Sequence, residues 1–248
     1  MDPAISVFER MSAVHWRGIE REFLGDWLLR AAGGFTGRAN SALPLGDPGM
    51  PAERAVAEVA AWYSQRGLPP MIAIVRGMRT GATALDDLLV RCGWSPRQIP
   101  VVVMTARAEA IARLRRNIGM TLAAEPDDEW LRLYRFRGQR LPAHARPVLL
   151  SAPEQTFASV RRNGHTVATG RLSLAGGWGG IAAVEVDPAC RRAGLGTGVT
   201  AGLAAQAASR GAEWLFLQVE EENAAARALY ARMGFTDHHR YHYRVGPA

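Results

Sequence analysis

The stretch Val184-Glu185-Val186-Asp187-Pro188-Ala189-Cys190-Arg191-Arg192-Ala193-Gly194-Leu195-Gly196-Thr197-Gly198 is the most informative part of this 248-residue chain. It predicts a strand, a tight basic turn and the start of a helix. The first N–H groups of a helix have no partner within the helix and carry positive partial charge, so an anion binds there favourably. Glycine at 194 and 196 lets a ligand approach the main chain, and Arg191 and Arg192 add charge. The stretch is therefore typical of a loop that binds a pyrophosphate.

The spacing of this loop separates it from two familiar phosphate-binding motifs. Its pattern is Arg-x-x-Gly-x-Gly, whereas dinucleotide-binding folds carry Gly-x-Gly-x-x-Gly and nucleotide hydrolases carry Gly-x-x-x-x-Gly-Lys-Ser/Thr. The chain contains no lysine, so it cannot supply the lysine of the second motif. Nucleotide hydrolysis is therefore disfavoured.

The loop resembles the coenzyme A loop of the GNAT superfamily of acetyl-CoA-dependent N-acetyltransferases. Arg191, Gly194 and Gly196 match the superfamily pattern, and a strand over Trp214–Val219 followed by the segment Glu220–Phe235 matches it downstream. The resemblance covers roughly residues 118–248, about the size of one compact domain. It implies an α/β fold with a mixed, mostly antiparallel twisted sheet flanked by helices, and acetyl-CoA as the cofactor.

The composition is that of a globular chain, with 48% hydrophobic residues and a formal net charge of +7. Positive charge suits an anionic ligand, nucleic acid or an acidic protein, but no nucleic-acid-binding module is recognisable, so we do not expect nucleic acid as a partner. The first residues lack the basic and apolar segments of a secretory signal, and no apolar stretch of membrane-spanning length is recognisable. We expect a cytoplasmic protein with no membrane partner, in which Cys92 and Cys190 are unpaired thiols.

The first hundred residues repeat the order of strands and helices found near the C-terminus. Leu88–Trp94 resembles Leu229–Phe235, because each predicts a helix end, a glycine cap and an aromatic residue. In this comparison Leu89 takes the place of Tyr230. The likeness suggests that the two parts of the chain are related.

The first half lacks an anion loop, because Gly46–Pro51 contains no arginine and its prolines cannot donate N–H groups to phosphate. We therefore predict two GNAT-like halves, each with its own sheet and helices: a degenerate half over residues 1–110 and a complete one over 111–248. An unrelated α/β module is the alternative for the first half. The elements predicted for the first half are strands Asp26–Arg30 and Arg38–Leu43, helix Pro51–Gln65, strand Met71–Val75, helix Ala84–Cys92, strand Ile99–Thr105 and a connecting helix Ala108–Arg116.

The resemblance assigns a cofactor site to the second half. Strand Ile181–Val186 should splay from strand Trp214–Val219, and the slot between them should hold the pantetheine arm. The main chain of Val184 and Val186 would contact that arm, the N–H near Val184 would polarise the acetyl carbonyl, and Asn223 would contact the arm from the next helix. The cofactor-binding turn comprises Arg191, Arg192, Ala193, Gly194, Leu195, Gly196 and Thr197.

Acetyl transfer also needs an acid for the leaving thiolate and a base for the amine. Tyr230 is the predicted acid, seven residues after Asn223 and on the same predicted helix face, because a phenol is protonated at neutral pH. Many superfamily members place a glutamate where this chain has Gly180. The remaining candidates are Glu185, whose side chain has the opposite parity unless a bulge rotates it, Glu220, a histidine such as His165, a water chain or bulk solvent.

Four further groups could contribute to an acceptor site. Adjacent His238 and His239 should point apart on a strand, so we predict no metal site. The closing strand should line the acceptor side through Arg240, Tyr241 and Tyr243, and Trp178–Gly180 forms either an entrance or a hairpin turn. Two interpretations remain for Arg30, Arg38 and Asn40: they recognise a carboxylate or phosphate of the substrate, or they form ordinary surface pairs.

Together these features predict an N-acetyltransferase that moves acetyl from acetyl-CoA directly to a primary amine of a small molecule or protein. The alternatives are a noncatalytic acyl-CoA-binding regulatory module, favoured by the missing glutamate, and a nucleic-acid-associated protein, which would bind with steep salt dependence. The sequence does not specify the amine acceptor or the oligomeric state.

Overall fold

The structure, a computed structural model, describes residues 4–78, 82–97, 99–135 and 138–247. Helices alternate with strands through most of the described chain. The helices are α1 Ile5–Ser12, α2 Ala52–Ser64, α3 Ala82–Arg91, α4 Ala108–Ala112, α5 Asp128–Leu133, α6 Ala145–Leu149, α7 Leu195–Ser209 and α8 Ala224–Met233. The strands are β1 Glu20–Leu24, β2 Trp27–Ala31, β3 Leu43–Pro44, β4 Met71–Val75, β5 Ser95–Pro96, β6 Val101–Arg107, β7 Met120–Ala123, β8 Glu154–Arg162, β9 His165–Ala175, β10 Trp178–Val186, β11 Trp214–Glu220 and β12 Thr236–Val245.

Nine of the described strands form one sheet in the order β4-β12-β6-β11-β10-β9-β8-β7, with β5 beside β12. Only the β10–β11 pair in this sheet is parallel among the pairs described. The strands β1, β2 and β3 form a separate small sheet. The predicted α/β class and the mixed, mostly antiparallel sheet are therefore confirmed.

The strands of the two predicted halves are interleaved in the large sheet. Strand β6, from the first half, lies between β11 and β12 of the second, and β12 lies between β6 and β4. The predicted boundary at residue 110 falls inside α4, whose buried Ile111 belongs to the same apolar core as α7 and β11. The halves thus share one sheet rather than each having its own.

Helix α7 covers the sheet next to the site. It is apolar on all sides, packs on β8, β9 and β10, and buries Leu195, Val199 and Leu203 in the core beneath it. At about 25 cal/mol per Å² of apolar surface, each of these side chains contributes about 2 kcal/mol of transfer free energy. The packing fixes the N-terminus of α7 relative to the ends of the strands.

Two predicted elements were wrong. Residues 38–41 form a turn and a bend instead of a strand, because Asn40 N donates back to Gly37 O at 3.1 Å. The Asn40 side chain then holds this bend against the main chain of residues 32–36. The connecting helix ends at Ala112 instead of Arg116, where the chain leaves the apolar core. None of the described helices is both long and apolar enough to cross a membrane.

Candidate active site

The two central strands separate at the site, as predicted. Strands β10 and β11 pair in parallel from Trp178 and Trp214 as far as Ile181 and Leu217, and the pairing stops there. Beyond this point β10 remains paired with β9, and β11 remains paired with β6 through Glu220. The diverging ends leave a slot whose walls are sheet edges.

A bulge interrupts β10 inside this slot. Ala182 pairs with Arg171 and Glu185 with Thr169, so two residues of β10, Ala183 and Val184, oppose one residue of β9. Ala183 has φ +54°, in the left-handed region. A bulge re-aims the side chains that follow it, and Glu185 lines the cleft. Without the bulge, strand alternation would turn the Glu185 side chain away from the cleft; with the bulge, Glu185 lies on the cleft wall.

The basic turn after β10 has the geometry of an anion site. Gly194 has φ +75° and caps α7 without any side chain, and the first intrahelical bond runs from Gly198 N to Gly194 O. The N–H groups of Leu195, Gly196 and Thr197 therefore have no acceptor within the helix. We call Arg191–Thr197 the anion turn; Arg191, Arg192 and Ala193 are exposed on it.

Helix α8 and its N-cap place two predicted residues on the cleft. Asn223 caps the helix, its Oδ1 accepting from Ala226 N at 3.0 Å, and so lies just outside it instead of on its face. Tyr230 is 8% exposed and lies on the cleft wall with Asn223. Burial, helped by the charge of Glu185, raises the pKa of Tyr230 to about 12. Its hydroxyl is thus protonated at neutral pH.

Both candidate carboxylates line the cleft. Glu185 is half-buried and its Oε1 lies 3.4 Å from the Arg191 guanidinium, which also donates to Val186 O at 3.3 Å. Burial raises the pKa of Glu185 above its usual value, although Arg191 acts in the opposite direction. Glu220 ends β11 on the other side of the slot.

The position of the missing glutamate cannot hold a side chain. A Cβ at Gly180 would lie 2.7 Å from Ser173 Oγ, 2.8 Å from the Phe216 ring and 3.0 Å from His15 Nδ1. Trp178–Gly180 is part of β10, paired on both sides, so it is neither an entrance nor a turn. Position 180 therefore has no carboxylate, and the buried histidine His15 lies next to it.

That histidine, His15, is neutral. Ser173 Oγ donates to Gly180 O at 3.1 Å, so His15 Nδ1, 2.9 Å from the same Oγ, is assigned as a donor to it. Burial, with a smaller effect of Arg171, lowers the pKa of His15 to about 4. His15 Nε2 is buried with no hydrogen-bond partner among the described residues.

The neutral state of His15 predicts a loss of stability in acid. The unfolded state binds a proton near pH 6.5 and the folded state only near pH 4, so stability present above pH 6.5 falls as the pH drops toward 4. From about pH 7.5 to about pH 5 this one group should lower the free energy of unfolding by about 2 kcal/mol. Urea unfolding at both pH values should show a smaller loss for His15→Gln than for wild type or for His144→Gln, an exposed control. Equal losses would contradict the assignment.

Arg38 of the first half and the closing strand β12 also reach the cleft. Arg38, Tyr241 and Tyr243 line it, whereas Arg240 does not and instead forms ion pairs with Asp237 and Glu221. Tyr241 Oη donates to Gln218 Oε1 at 2.7 Å. Arg240 was therefore wrongly expected at the cleft, whereas both tyrosines lie on its wall, and their contact with an acceptor stays a prediction.

Arg30 and Asn40 are buried, so surface pairing does not explain them. Arg30 donates to Ser41 O and Ser41 Oγ at 3.0 Å. The Asn40 side chain holds the loop of residues 32–40 together. Its amide makes four hydrogen bonds within this loop, so it is not available to bind a ligand.

The two adjacent histidines do not point apart. His238 Nδ1 and His239 Nδ1 are 2.6 Å apart, because β12 has an extra residue between Asp237 and His239. His239 Nε2 also lies 2.7 Å from Glu9 Oε1. Within the described ranges, no three His, Cys, Asp or Glu residues form a group able to hold a metal.

These parts enclose a cleft of about 370 Å³. A neighbouring groove of about 720 Å³ shares Glu185 with the cleft and extends to Arg191 of the anion turn. The walls also contain residues that the sequence did not single out, Thr36, Arg97 and Tyr134, because only the packing of the first half onto β12 and α5 brings them here. The arrangement offers an anion site, a slot between strand edges, a protonated phenol and two carboxylates.

A family model described as the C-terminal region of the probable histone acetyltransferase Rv0428c matches residues 3–244. The chain belongs to this family. The uncharacterized N-acetyltransferase YobR of Bacillus subtilis is 32% identical over 97% of this chain and 98% of its own length. The probable histone acetyltransferase Rv0428c of Mycobacterium tuberculosis is also 32% identical, over 99% of this chain and 74% of its own length.

Solved structures agree with this family at the level of the fold. A GCN5-related N-acetyltransferase from Kribbella flavida has a TM-score of 0.69 at 18% identity, over 93% of this chain and 90% of its own. A tandem GNAT protein from the clavulanic acid biosynthesis pathway has a TM-score of 0.59 at 14% identity, over 79% of this chain and 70% of its own. The protein is thus an acetyltransferase of the GNAT type.

Proposed function

We propose that this protein transfers acetyl from acetyl-CoA directly to a primary amine. The observation that carries the proposal is the slot between β10 and β11, with the unpartnered N–H groups of α7 beside its end. A splayed strand pair offers main-chain groups to an amide-bearing arm, and the helix N-terminus offers donors to a pyrophosphate. Bound acetyl-CoA would supply the acetyl group as an activated thioester.

The cofactor-binding roles follow from position. The N–H groups of Leu195, Gly196 and Thr197 would donate to a pyrophosphate at the helix start. Gly194 and Ala193 would leave room for it there, and Arg191 and Arg192 would add positive charge. The main chain of Val184 and Val186 and the cap residue Asn223 would hold the arm along the slot. The N–H at the bulge near Val184 would polarise the acetyl carbonyl.

Proton movements are assigned to three side chains. The reaction forms a C–N bond and breaks the C–S bond, so one proton must leave the amine and one must reach the sulfur. Tyr230, which its environment keeps protonated, would donate to the sulfur. Glu185 and Glu220 are the carboxylates on the cleft that could receive the amine proton.

The chain also supports an origin in two related halves. Strand β4, helix α3 and strand β6 repeat the order of β11, α8 and β12. Trp94 N donates to Leu89 O at 2.9 Å, as Phe235 N donates to Tyr230 O at 3.0 Å, after glycines that both have positive φ. The last strand of each repeat pairs with the first strand of the other, β12 with β4 and β6 with β11. We propose residues 1–110 and 111–248 as these repeats, with their last strands exchanged and only the second one active.

A noncatalytic acyl-CoA-binding module is the second candidate, because no carboxylate can stand at position 180. Acceptor-dependent release of the coenzyme A thiol separates the two. The proposal expects release with at least one primary amine and an acid limb of kcat/KM that disappears in Glu185→Gln or in Glu220→Gln, whichever carboxylate is the base. Cofactor binding without release for any amine would favour the regulatory module.

A further inference from the structure

The acceptor side of the cleft carries a preorganised arginine. Asn40, which is 4% exposed, accepts from Ala32 N at 2.7 Å and Gly34 N at 2.8 Å. Its Nδ2 donates to Phe35 O at 2.7 Å and Thr36 O at 2.9 Å. Trp16 Nε1 donates to Thr36 Oγ1 at 2.9 Å. The loop before Arg38 is therefore fixed by five hydrogen bonds to side chains.

Arg38 itself has no anionic partner among the residues that the structure describes. Its guanidinium lies 4.7 Å from the centre of the Trp16 ring, and its side chain is half-buried on the cleft wall. No hydrogen bond or ion pair from the described ranges reaches this guanidinium. A partly desolvated arginine held in place without a carboxylate is suited to bind one from a ligand.

A second arginine lies at the same ring. The Arg171 guanidinium is 5.0 Å from the centre of the Trp16 ring, and the residue is 1% exposed. Within the described part of the chain it donates to two main-chain oxygens, Leu149 O at 2.7 Å and His15 O at 3.2 Å. Burial, with a smaller effect of Arg38, lowers the pKa of Arg171 to about 9. Neither cation forms an ion pair with a carboxylate of the described residues, and the nearby Glu9 instead contacts His239. The two guanidinium groups at one ring therefore make this wall electropositive, and a bound anion would relieve their repulsion.

The two carboxylates of the cleft lie on β10 and β11, away from the Trp16 ring. Glu185 follows the bulge of β10 and pairs with Arg191, and Glu220 ends β11. An acceptor with one cationic and one anionic end would meet a complementary charge at each place. A lysine-rich protein segment would instead bring further positive charge to the Arg38 wall of a chain that already carries +7.

We propose that the acceptor is a small primary amine that also bears a carboxylate or a phosphate, and that Arg38 binds this anionic group. The inference rests on the proposed acetyl transfer and adds the substrate class. Arg38 would hold the anionic end while the amine reaches the thioester end of the slot.

Matched acceptors test the proposal through thiol release. β-Alanine is compared with β-alaninamide, phosphoethanolamine with ethanolamine, and both pairs with a lysine-rich peptide; the first two pairs distinguish a carboxylate from a phosphate. We expect the preferred anionic acceptor to exceed its neutral counterpart in kcat/KM by roughly 10- to 100-fold, the usual worth of a charge-assisted hydrogen bond. Arg38→Gln should remove that preference, and Arg38→Lys should restore part of it.

The control is Arg54→Gln, which removes the same charge from an arginine whose side chain is 70% exposed on α2. It should keep the wild-type preference, and all variants should bind coenzyme A like wild type in calorimetric titrations. Equal use of neutral and anionic acceptors, better use of the basic peptide, or a preference unchanged in Arg38→Gln would overturn the inference while the proposed function stands.

A direct titration covers the case in which no acceptor turns over. β-Alanine and phosphoethanolamine are titrated into protein saturated with coenzyme A, and binding of one that weakens tenfold or more in Arg38→Gln supports the site. If neither binds nor reacts, the inference fails. Absence of coenzyme A binding by wild type would instead defeat the proposed function.

Discussion

Replacing Gly194 by Glu should abolish measurable binding of acetyl-CoA. Gly194 has φ +75°, and a Cβ there would meet no atom within 4 Å, so the fold accommodates the side chain at a backbone cost of about 1 to 2 kcal/mol. The new carboxylate would stand among the unpartnered N–H groups of α7, where the pyrophosphate should bind. We expect calorimetric titration to show affinity reduced at least about 100-fold, equivalent to about 2.7 kcal/mol.

The matched control for this variant is Gly211→Glu. Gly211 has φ +80° and open space around its Cβ, but it lies beyond the C-terminal end of the same helix. Both variants therefore add the same charge at a backbone position with positive φ, and they differ only in which end of α7 carries it. Equal affinity of both variants for acetyl-CoA would contradict the assignment of the anion turn.

Replacing Tyr230 by Phe should lower kcat about 100-fold while leaving the affinity for acetyl-CoA unchanged, because it removes only the proton donor. The ring that packs against Phe235, with centroids 5.8 Å apart, is retained. The measurement is steady-state thiol release with any amine that proves to be an acceptor, together with titration of acetyl-CoA.

Tyr63→Phe removes a tyrosine hydroxyl outside the cleft and provides the control. Tyr63 Oη donates to Arg30 O at 2.8 Å, so this variant should lose stability but keep its kcat. A kcat for Tyr230→Phe within about twofold of wild type, equivalent to about 0.4 kcal/mol, would eliminate Tyr230 as the acid.

Local sequence signals were sufficient for the parts of the site that are continuous in the chain. The anion turn depends on glycines within a few residues of one another, and the end of α8 depends on Gly234 and its neighbours. The separation of β10 from β11 came from the resemblance, and the strand register confirms it. These features need little information from elsewhere in the fold.

The remaining features depend on contacts between distant segments. The bulge at Ala183 and Val184 carries no glycine or proline to mark it, and it is defined by the register with β9. The position of β6 between β11 and β12 depends on pairing between strands that are far apart in the chain. The loop around Asn40 depends on four hydrogen bonds between its side chain and the main chain, and the sequence does not show which main-chain groups it bonds. Arg38 therefore could be suggested, but not placed, from sequence.

The decisive measurement is the fate of an isotopically labelled acetyl group. Wild-type protein is incubated with labelled acetyl-CoA and the acceptor panel, and the products are identified by mass spectrometry. The proposed function predicts the labelled acetyl group on the nitrogen of an amine, in amounts equal to the thiol released and greatly reduced in Tyr230→Phe. Two results would contradict acetyl transfer to an amine. Labelled acetyl-CoA that binds but stays intact would indicate a protein that only binds the cofactor, and labelled acetate as the only product would indicate hydrolysis of the thioester.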